Sequence, residues 1–464
     1  MSKKKKCILV GGAVAVPVCI YLGISIFFLS HFFYGTSING KNFSMKSLAE
    51  AESYFEETVE QYALTIVPRE GGNEYISGKD ISLTLRKNKE LEKLLARQSA
   101  FLWPEMFLNR KDAEISIPVE YDEATLSAQI QALDCFTNEG KTDPQNARPE
   151  FDGEKYIAGD EVPGTKVDQE LLKEVITDAV EAFCMEVNLE EKDCYQKPKY
   201  TSESEELKEA CDKLNQYCKA SITYDMAPYQ EVIDASVISE WLNCDADMQV
   251  TFDENKAREY MNQFAARYKT AGGTRPLTTP TGKETEVSGG TYGWAFDEAA
   301  EAEALIASIK AGEVVTKEPA YTQRGASHEP QDWGKTFIEV DISAQHMWYI
   351  ADGSVAFESD VVTGKPYAHS TPSGVYDVLN MQRGATLVGN IVPETGEPEY
   401  RTYVDFWMPV TKGGVGFHDA TWQPYFGGEL YLYNGSHGCI NMPWNGAETL
   451  FNLISVGTPV VMHY

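Results

Sequence analysis

Basic residues are scarce in this chain: across 464 residues, 40 Lys and Arg stand against 70 Asp and Glu, a formal charge of −30. A nucleic-acid binder needs a cationic footprint to neutralise phosphates, so that class of partner is excluded. Low-complexity tracts and true internal repeats are missing as well. A disordered chain of this charge would be poor in apolar residues, whereas this one is 43% hydrophobic and 11% aromatic, so most of it packs into cores. At about 100 to 200 residues per domain, the length asks for roughly three domains.

Asp, Glu, Lys and Arg are absent altogether from Cys7 to Tyr34, a run rich in Val, Ile, Leu and Phe. A helix of about 20 apolar residues crosses a bilayer, and this run is long enough to do so with some tilt. Lys3, Lys4, Lys5 and Lys6 precede it, which holds the N-terminus in the cytoplasm. No A-x-A-like cleavage site follows, and the run exceeds the about 7 to 15 apolar residues of a secretory signal, so an uncleaved, single-pass anchor is expected. With residues 1–6 as a cytoplasmic tail and residues 7–34 as the anchor, the external part carries 36 basic against 70 acidic residues, a charge of −34.

The nine cysteines divide by position. Cys7 and Cys19 lie in the apolar run, Cys135, Cys184, Cys194, Cys211, Cys218 and Cys244 in the middle, and Cys439 stands alone near the end. Six cysteines in an exported segment could form three bridges, which leaves one thiol over. Leu207, Cys211, Leu214 and Cys218 fall at i, i+4, i+7 and i+11 of a predicted helix, so these two cysteines sit on its apolar stripe as small hydrophobes. About 10.5 Å apart on a straight helix, they are out of bridging distance of each other.

Capped helices dominate up to about residue 315. Ser47 and Glu50 can form a capping box ahead of Ala51, Phe55 and Val59, while Asp168, Asp253 and Asp297 can cap three further helices, the last stopped at Gly312. Gly/Pro/Asn-rich breaks at 141–149 and 272–293 separate them, so several small α+β units are expected. From about Lys335 the texture changes to short runs rich in Val, Ile, Tyr, Phe and Trp, interrupted by one helical stretch from Gly446 to Ile454. The fold class expected is multidomain α+β, ending in a β-rich, sandwich-like or barrel-like domain over 335–464 that follows one transmembrane helix and α+β modules.

Chemistry concentrates in that last domain, in Phe417-His418-Asp419 and in Ser436-His437-Gly438-Cys439-Ile440-Asn441. Cysteine attacks carbonyls as thiolate, and at an unperturbed pKa of about 8.5 it needs a base beside it. His418, 21 residues upstream of Cys439, is far enough away to return on a neighbouring strand and face the thiol. Gly438 removes a side chain next to the nucleophile, so backbone N–H groups can approach a developing oxyanion. On spacing alone three readings stay open: a nucleophilic site, a zinc site completed by a ligand such as His369, or structural roles for all of these groups.

The Ser-His-Gly-Cys-Ile-Asn block with a His eighteen residues before its Ser resembles the signature of the L,D-transpeptidase family (YkuD-type catalytic domain). The resemblance extends through Phe337-Ile338-Glu339-Val340-Asp341, Thr371-Pro372-Ser373-Gly374, Trp407-Met408-Pro409 and Gly457-Thr458-Pro459-Val460. Upstream, Ile222-Thr223-Tyr224, Trp241-Leu242 and Gly290-Thr291-Tyr292-Gly293-Trp294 are similar to the peptidoglycan-binding module of membrane-anchored Gram-positive members, which suggests such a module over 113–320. Residues 35–112 remain an α+β module without a role.

What the resemblance implies is a metal-free, cofactor-free enzyme with Cys439 as nucleophile and His418 as general base and acid. Ser436, His437 and Asn441 match family site positions. The backbone N–H groups around His437, Gly438 and Cys439 match its oxyanion hole. Asp419 stands where other members have Gly or Ser, so the partner that orients His418 is expected to be either a side chain or a backbone carbonyl. The implied reaction opens a tetrapeptide stem of peptidoglycan between residue 3 and D-Ala, and passes the acyl group from a Cys439 thioester to an acceptor amine, giving a 3→3 cross-link. Water as acceptor would make the chain an L,D-carboxypeptidase or endopeptidase that trims stems, and an inactive catalytic domain would leave a wall-binding protein. Carbapenems are implied as covalent inhibitors, and the catalytic domain is expected outside the membrane, in the wall of a Gram-positive-type bacterium.

Overall fold

The computed structural model describes residues 16–86, 89–108 and 110–464. The four lysines, Cys7 and the first part of the uncharged run lie outside them. A helix runs over 16–27, and among the described residues no helix is long and apolar enough to cross a membrane. The rest of the run behaves differently: Phe28, Phe32 and Phe33 are buried within the folded chain.

The chain divides into two compact units, one of residues 1–148 and 158–207, the other of 149–157 and 208–464. In the first, the helix Leu48–Glu60 starts at the expected capping box, where Ser47 Oγ accepts from Glu50 N–H and the Glu50 carboxylate accepts from Ser47 N–H at 2.8 Å. It buries Ala51, Phe55 and Val59. Asp168 caps Gln169–Glu181 as expected, and Leu172 and Ile176 of that helix share one core with Val59, Leu64, Leu126 and Ile130.

The second unit has two halves, each with its own core. In its first half, helices Glu254–Tyr268 and Glu298–Ala311, capped by Asp253 and Asp297, pack Phe264, Leu305 and Ile309 on Ile222 and Tyr224 of a three-stranded sheet. Gly312 ends the second helix in the left-handed region at φ 67°. A hairpin, Thr274–Thr278 with Glu284–Ser288, carries Leu277 and Val287 onto Trp333, Trp348, Val375 and Val461 of the β-rich half. Gly290 runs so close to Val375 that a Cβ would sit 2.0 Å from its carbonyl oxygen. Arg275 bridges the same seam with a buried ion pair to Asp332 at 2.9 Å.

The β-rich half is built of two sheets. Strands β1 (Phe337–Asp341), β2 (His346–Ala351), β3 (Ser354–Asp360), β4 (Gly374–Asp377) and β9 (Pro459–His463) form a five-stranded sheet in the order β3-β2-β1-β9-β4. Strands β5 (Gln382–Val388), β6 (Arg401–Pro409), β7 (Gly416–Asp419) and β8 (Ile440–Met442) form a four-stranded one in that order. Ile338, Val340 and Val460 from the first meet Phe406, Phe417 and Ile440 from the second in one core. The sheets therefore pack as two layers and do not close into one barrel. The expected helix is present as Trp444–Leu453. The described cysteines are all free thiols, so the possible bridges of the middle region are not formed. Cys211 is buried on its helix, as the apolar stripe requires.

Candidate active site

β7 lies inside the four-stranded sheet, antiparallel to β6 and parallel to β8, and all four of its residues are buried. Its register sets His418 between Trp407 and Asn441. Cys439 immediately precedes β8, so the neighbouring-strand return expected for the histidine and the thiol is what the sheet provides.

The turn carrying Cys439 is held by side chains as well as backbone. Ser436 exchanges backbone hydrogen bonds with Thr363 and Lys365, while its hydroxyl donates to the Cys439 carbonyl at 2.6 Å and accepts from Gly438 N–H at 3.0 Å. Thr371, fully buried, donates to the Gly438 carbonyl and accepts from Gly364 N–H, both at 2.8 Å. Gly438 itself sits at φ 113°, a conformation side-chain-bearing residues avoid. The Ser436 bond uses the Gly438 N–H, which was one of the expected oxyanion donors. No hydrogen bond of the described residues takes up the N–H of His437 or Cys439, so those two remain to meet a developing negative charge.

His418 Nδ1 bonds the backbone carbonyl of Asp419 at 2.9 Å. That carbonyl can only accept, so Nδ1 carries the proton and Nε2 is left as the basic nitrogen. The Asp419 carboxylate is engaged elsewhere: its Oδ1 accepts from the N–H groups of Asp405 and Phe406 at 2.8 and 2.9 Å, tying β7 to β6. Of the two orienting partners considered, the backbone carbonyl is the one in contact.

Burial makes both reactive groups neutral at rest. It pushes the Cys439 thiol up to about 11 and holds the His418 imidazole below its ordinary value. The thiol donates to the Gly414 carbonyl at 3.5 Å. A standing thiolate–imidazolium pair is therefore disfavoured at rest.

A cleft of about 290 Å³ opens over these groups, with Tyr400 and Trp422 among its walls. His437 faces it from an exposed position, its ring 4.3 Å from His369 and 5.0 Å from Tyr400. His369 thus packs against the turn with its ring tilted 45° to that of His437, and among the described residues no three His, Cys, Asp or Glu side chains converge as a metal-binding group. Trp407 lies beside His418, at 6.0 Å between ring centres, while Tyr425 is exposed and apart from the lining.

Two site residues escaped the sequence reading, Thr371 as a named site residue and Gln423 entirely. Gln423 and Asn441, 7% and 5% exposed, line the cleft and bond each other through Asn441 Nδ2 and Gln423 Oε1 at 3.1 Å. Gln423 Nε2 and Asn441 Oδ1 stay buried without partners. Turning either amide over still leaves unmet hydrogen-bonding capacity in this pair.

Comparisons with known proteins fall on the same domain. Residues 335–462 match the family described as L,D-transpeptidase catalytic domain, and residues 200–316 one described as peptidoglycan binding domain. The chain is 34% identical over 102 residues to "Probable L,D-transpeptidase 3" of Mycobacterium tuberculosis, covering 21% of this chain and 36% of that protein. It spans between about a third and half the length of the curated relatives it matches. A solved cysteine-to-serine mutant of the Enterococcus faecium L,D-transpeptidase is 36% identical, with 55% of this chain and 100% of that one covered at a TM-score of 0.48. The solved catalytic domain of the E. faecium enzyme acylated by ertapenem is 48% identical, over 28% of this chain and 97% of that one, with a TM-score of 0.25.

Proposed function

This chain belongs to the L,D-transpeptidase family, a family of acyltransferases, and from that premise we propose that it is a peptidoglycan L,D-transpeptidase. The observation that carries the reading is the turn Ser436–Cys439 set against His418, with a fixed tautomer on one side and two free N–H groups on the other.

In this reading Cys439 Sγ attacks the carbonyl of residue 3 in a tetrapeptide stem as its proton passes to His418 Nε2. The tetrahedral oxyanion rests on the N–H groups of His437 and Cys439. Its collapse breaks the bond to D-Ala, whose amine takes the proton from His418, and a thioester remains on Cys439. An acceptor amine then attacks the thioester, yields a proton through His418 and restores the thiol, leaving a 3→3 link. Gln423 and Asn441, which line the cleft, contact a peptide amide of the stem and hold it in register. The chemistry needs no cofactor. Carbapenems acylate the same sulfur in this reading, as ertapenem does the E. faecium domain. The module over 200–316 adds a hold on the wall polymer.

The chain is further read as a single-pass membrane protein with its N-terminus inside and its enzyme outside. Support comes from Lys3–Lys6 ahead of the uncharged run, and from the helix over 16–27 with Val16, Val18, Ile20, Leu22 and Ile26 all exposed. A helix apolar on every side belongs in a core or a bilayer.

Mass spectrometry of tetrapeptide muropeptides after incubation with the protein tests the enzymatic reading. Dimers with 3→3 links are expected. Shortened tripeptides alone would make it a carboxypeptidase, and an unchanged profile with retained binding to sacculi would make it a wall-binding protein.

A further inference from the structure

The first unit carries an apolar surface that the enzymatic function does not use. After the helix Glu90–Arg97, a kinked 3-10 stretch Ala100–Phe107 and the following Leu108 read Ala-Phe-Leu-Trp-Pro-Glu-Met-Phe-Leu. Phe101, Leu102, Phe107 and Leu108 are 53%, 49%, 69% and 84% exposed. Contiguous apolar exposure of this kind marks an interaction surface rather than chance.

The stretch is fixed in place, and fixed against the N-terminal helix. Gln98, buried at its start, accepts from Phe33 N–H at 3.1 Å and donates to the carbonyls of Phe28 and His31. Trp103 lies 5.6 Å from the Tyr21 ring, and the Tyr21 hydroxyl donates to the Phe101 carbonyl. Between the two elements runs a groove of about 660 Å³, walled by Ile20, Ile24, Phe27, Trp103 and Phe107 and lined, among the described residues, by no charged side chain.

We propose that Ala100–Leu108 is a second membrane-contacting element, seated in the interfacial layer of the bilayer beside the outer end of the anchor helix. The proposal rests on the anchored reading and goes beyond it. Three observations choose lipid over a protein occupant. The exposed face is continuous with an exposed helix whose sequence extends as an uncharged run back to Cys7. The groove follows that helix from Ile20 to Phe27, about 10 Å at 1.5 Å per residue, which is the depth of about 5 to 10 Å at which interfacial elements sit. Charge is arranged to suit headgroups: Glu105 is the one charged residue from Gln98 to Leu108, while Arg97, Arg110 and Lys111 bracket the stretch in a chain otherwise dominated by acid. The first unit would then lie against the membrane as well as being tethered to it.

The full chain, reconstituted in vesicles of phosphatidylglycerol and phosphatidylcholine with or without brominated acyl chains, provides the test. Trp103 is one of eight tryptophans, so Trp103→Phe isolates its emission. Brominated lipid is expected to quench a component that the Trp103→Phe protein lacks. The Phe107→Asp/Leu108→Asp double variant, altered at exposed positions, is expected to float with vesicles as the parent does and to lose that quenching. Flotation without quenching of Trp103 would overturn the proposal and leave the anchor standing, the face then belonging to a protein partner or a second copy. Failure to float would remove both.

Discussion

The catalytic cleft and the N-terminal face depart from ordinary folding in opposite directions. In the cleft, polar atoms are buried without partners: Gln423 Nε2 and Asn441 Oδ1 have none, and the thiol and imidazole beside them are kept neutral by burial. On the N-terminal face, apolar side chains from Val16 to Leu108 are exposed without cover. A fold with no other task does the reverse on both counts. Each departure names its complement, since unmet hydrogen bonds suit a peptide and unmet apolar area suits lipid. The seam between hairpin and catalytic sheet supplies a partial contrast: Arg275 and Asp332 are as buried as the cleft residues, but both Nη atoms of the guanidinium meet Asp332 or the carbonyls of Tyr292 and Gly289, and its Nε alone is left without a partner among the described residues. Buried polarity that is paired holds the structure together; what sets Gln423 and Asn441 apart from the other orphaned atoms is that both residues also line the cleft.

Breaking the cleft side of this comparison should cost most. His418→Ala is expected to leave a protein with unchanged circular dichroism and a cross-linking rate lower by about 10²- to 10⁴-fold, the usual worth of a general base. Near-parental dimer formation from muropeptides would remove His418 from the mechanism.

Arg275→Ala sharpens the contrast with the seam. It leaves Asp332, whose carboxyl burial already holds above the usual range, without its cation, and a loss of about 3 to 5 kcal/mol in urea denaturation is expected. Carbapenem acylation of the protein that remains folded should proceed at the parental rate. A stability change below 1 kcal/mol, by the same criterion that sets exposed pairs at about that worth, would show that the pair carries no structural load.

Gln423→Leu should spare stability and impair use of substrate, lowering kcat/KM for stem peptides about tenfold, as the loss of one or two neutral hydrogen bonds would. Unchanged kinetics would return Gln423 to the core. The smallest effect concerns pH. In the proposed mechanism the basic form of His418 acts, and burial lowers its pKa, so acylation should persist below about pH 6.5 before it falls. Above that limb the rate should stay level to about pH 9, because the thiol is held near 11 and its proton leaves during attack. A tenfold rise per pH unit over that range would mean that a preformed thiolate is required.

Much of this was legible in residue order. Ser47, Asp168, Asp253 and Asp297 announced their helices because a cap is a local device, read within four positions. Cys439 and His418 stood out because few residue types perform that chemistry. Strand β5 did not: Gln382–Val388 is mostly exposed at the sheet edge and carries no apolar run. Gln423 was silent because an amide becomes informative only when burial strips it of water, and burial is a tertiary fact. The same holds for the Ser436 hydroxyl, whose grip on Gly438 N–H takes up one of the three expected oxyanion donors, and for Phe28, Phe32 and Phe33, which look like membrane sequence and pack inside the first unit.

The central claim is that Cys439 carries the acyl group. Intact-mass measurement of the full chain quenched during turnover of a tetrapeptide donor, followed by peptide mapping, tests it most directly. The account predicts a mass increase equal to the donor less D-Ala, located on the peptide containing Cys439 and missing from a folded Cys439→Ala protein. An adduct of that mass on any other residue, or one that persists in Cys439→Ala, would contradict it.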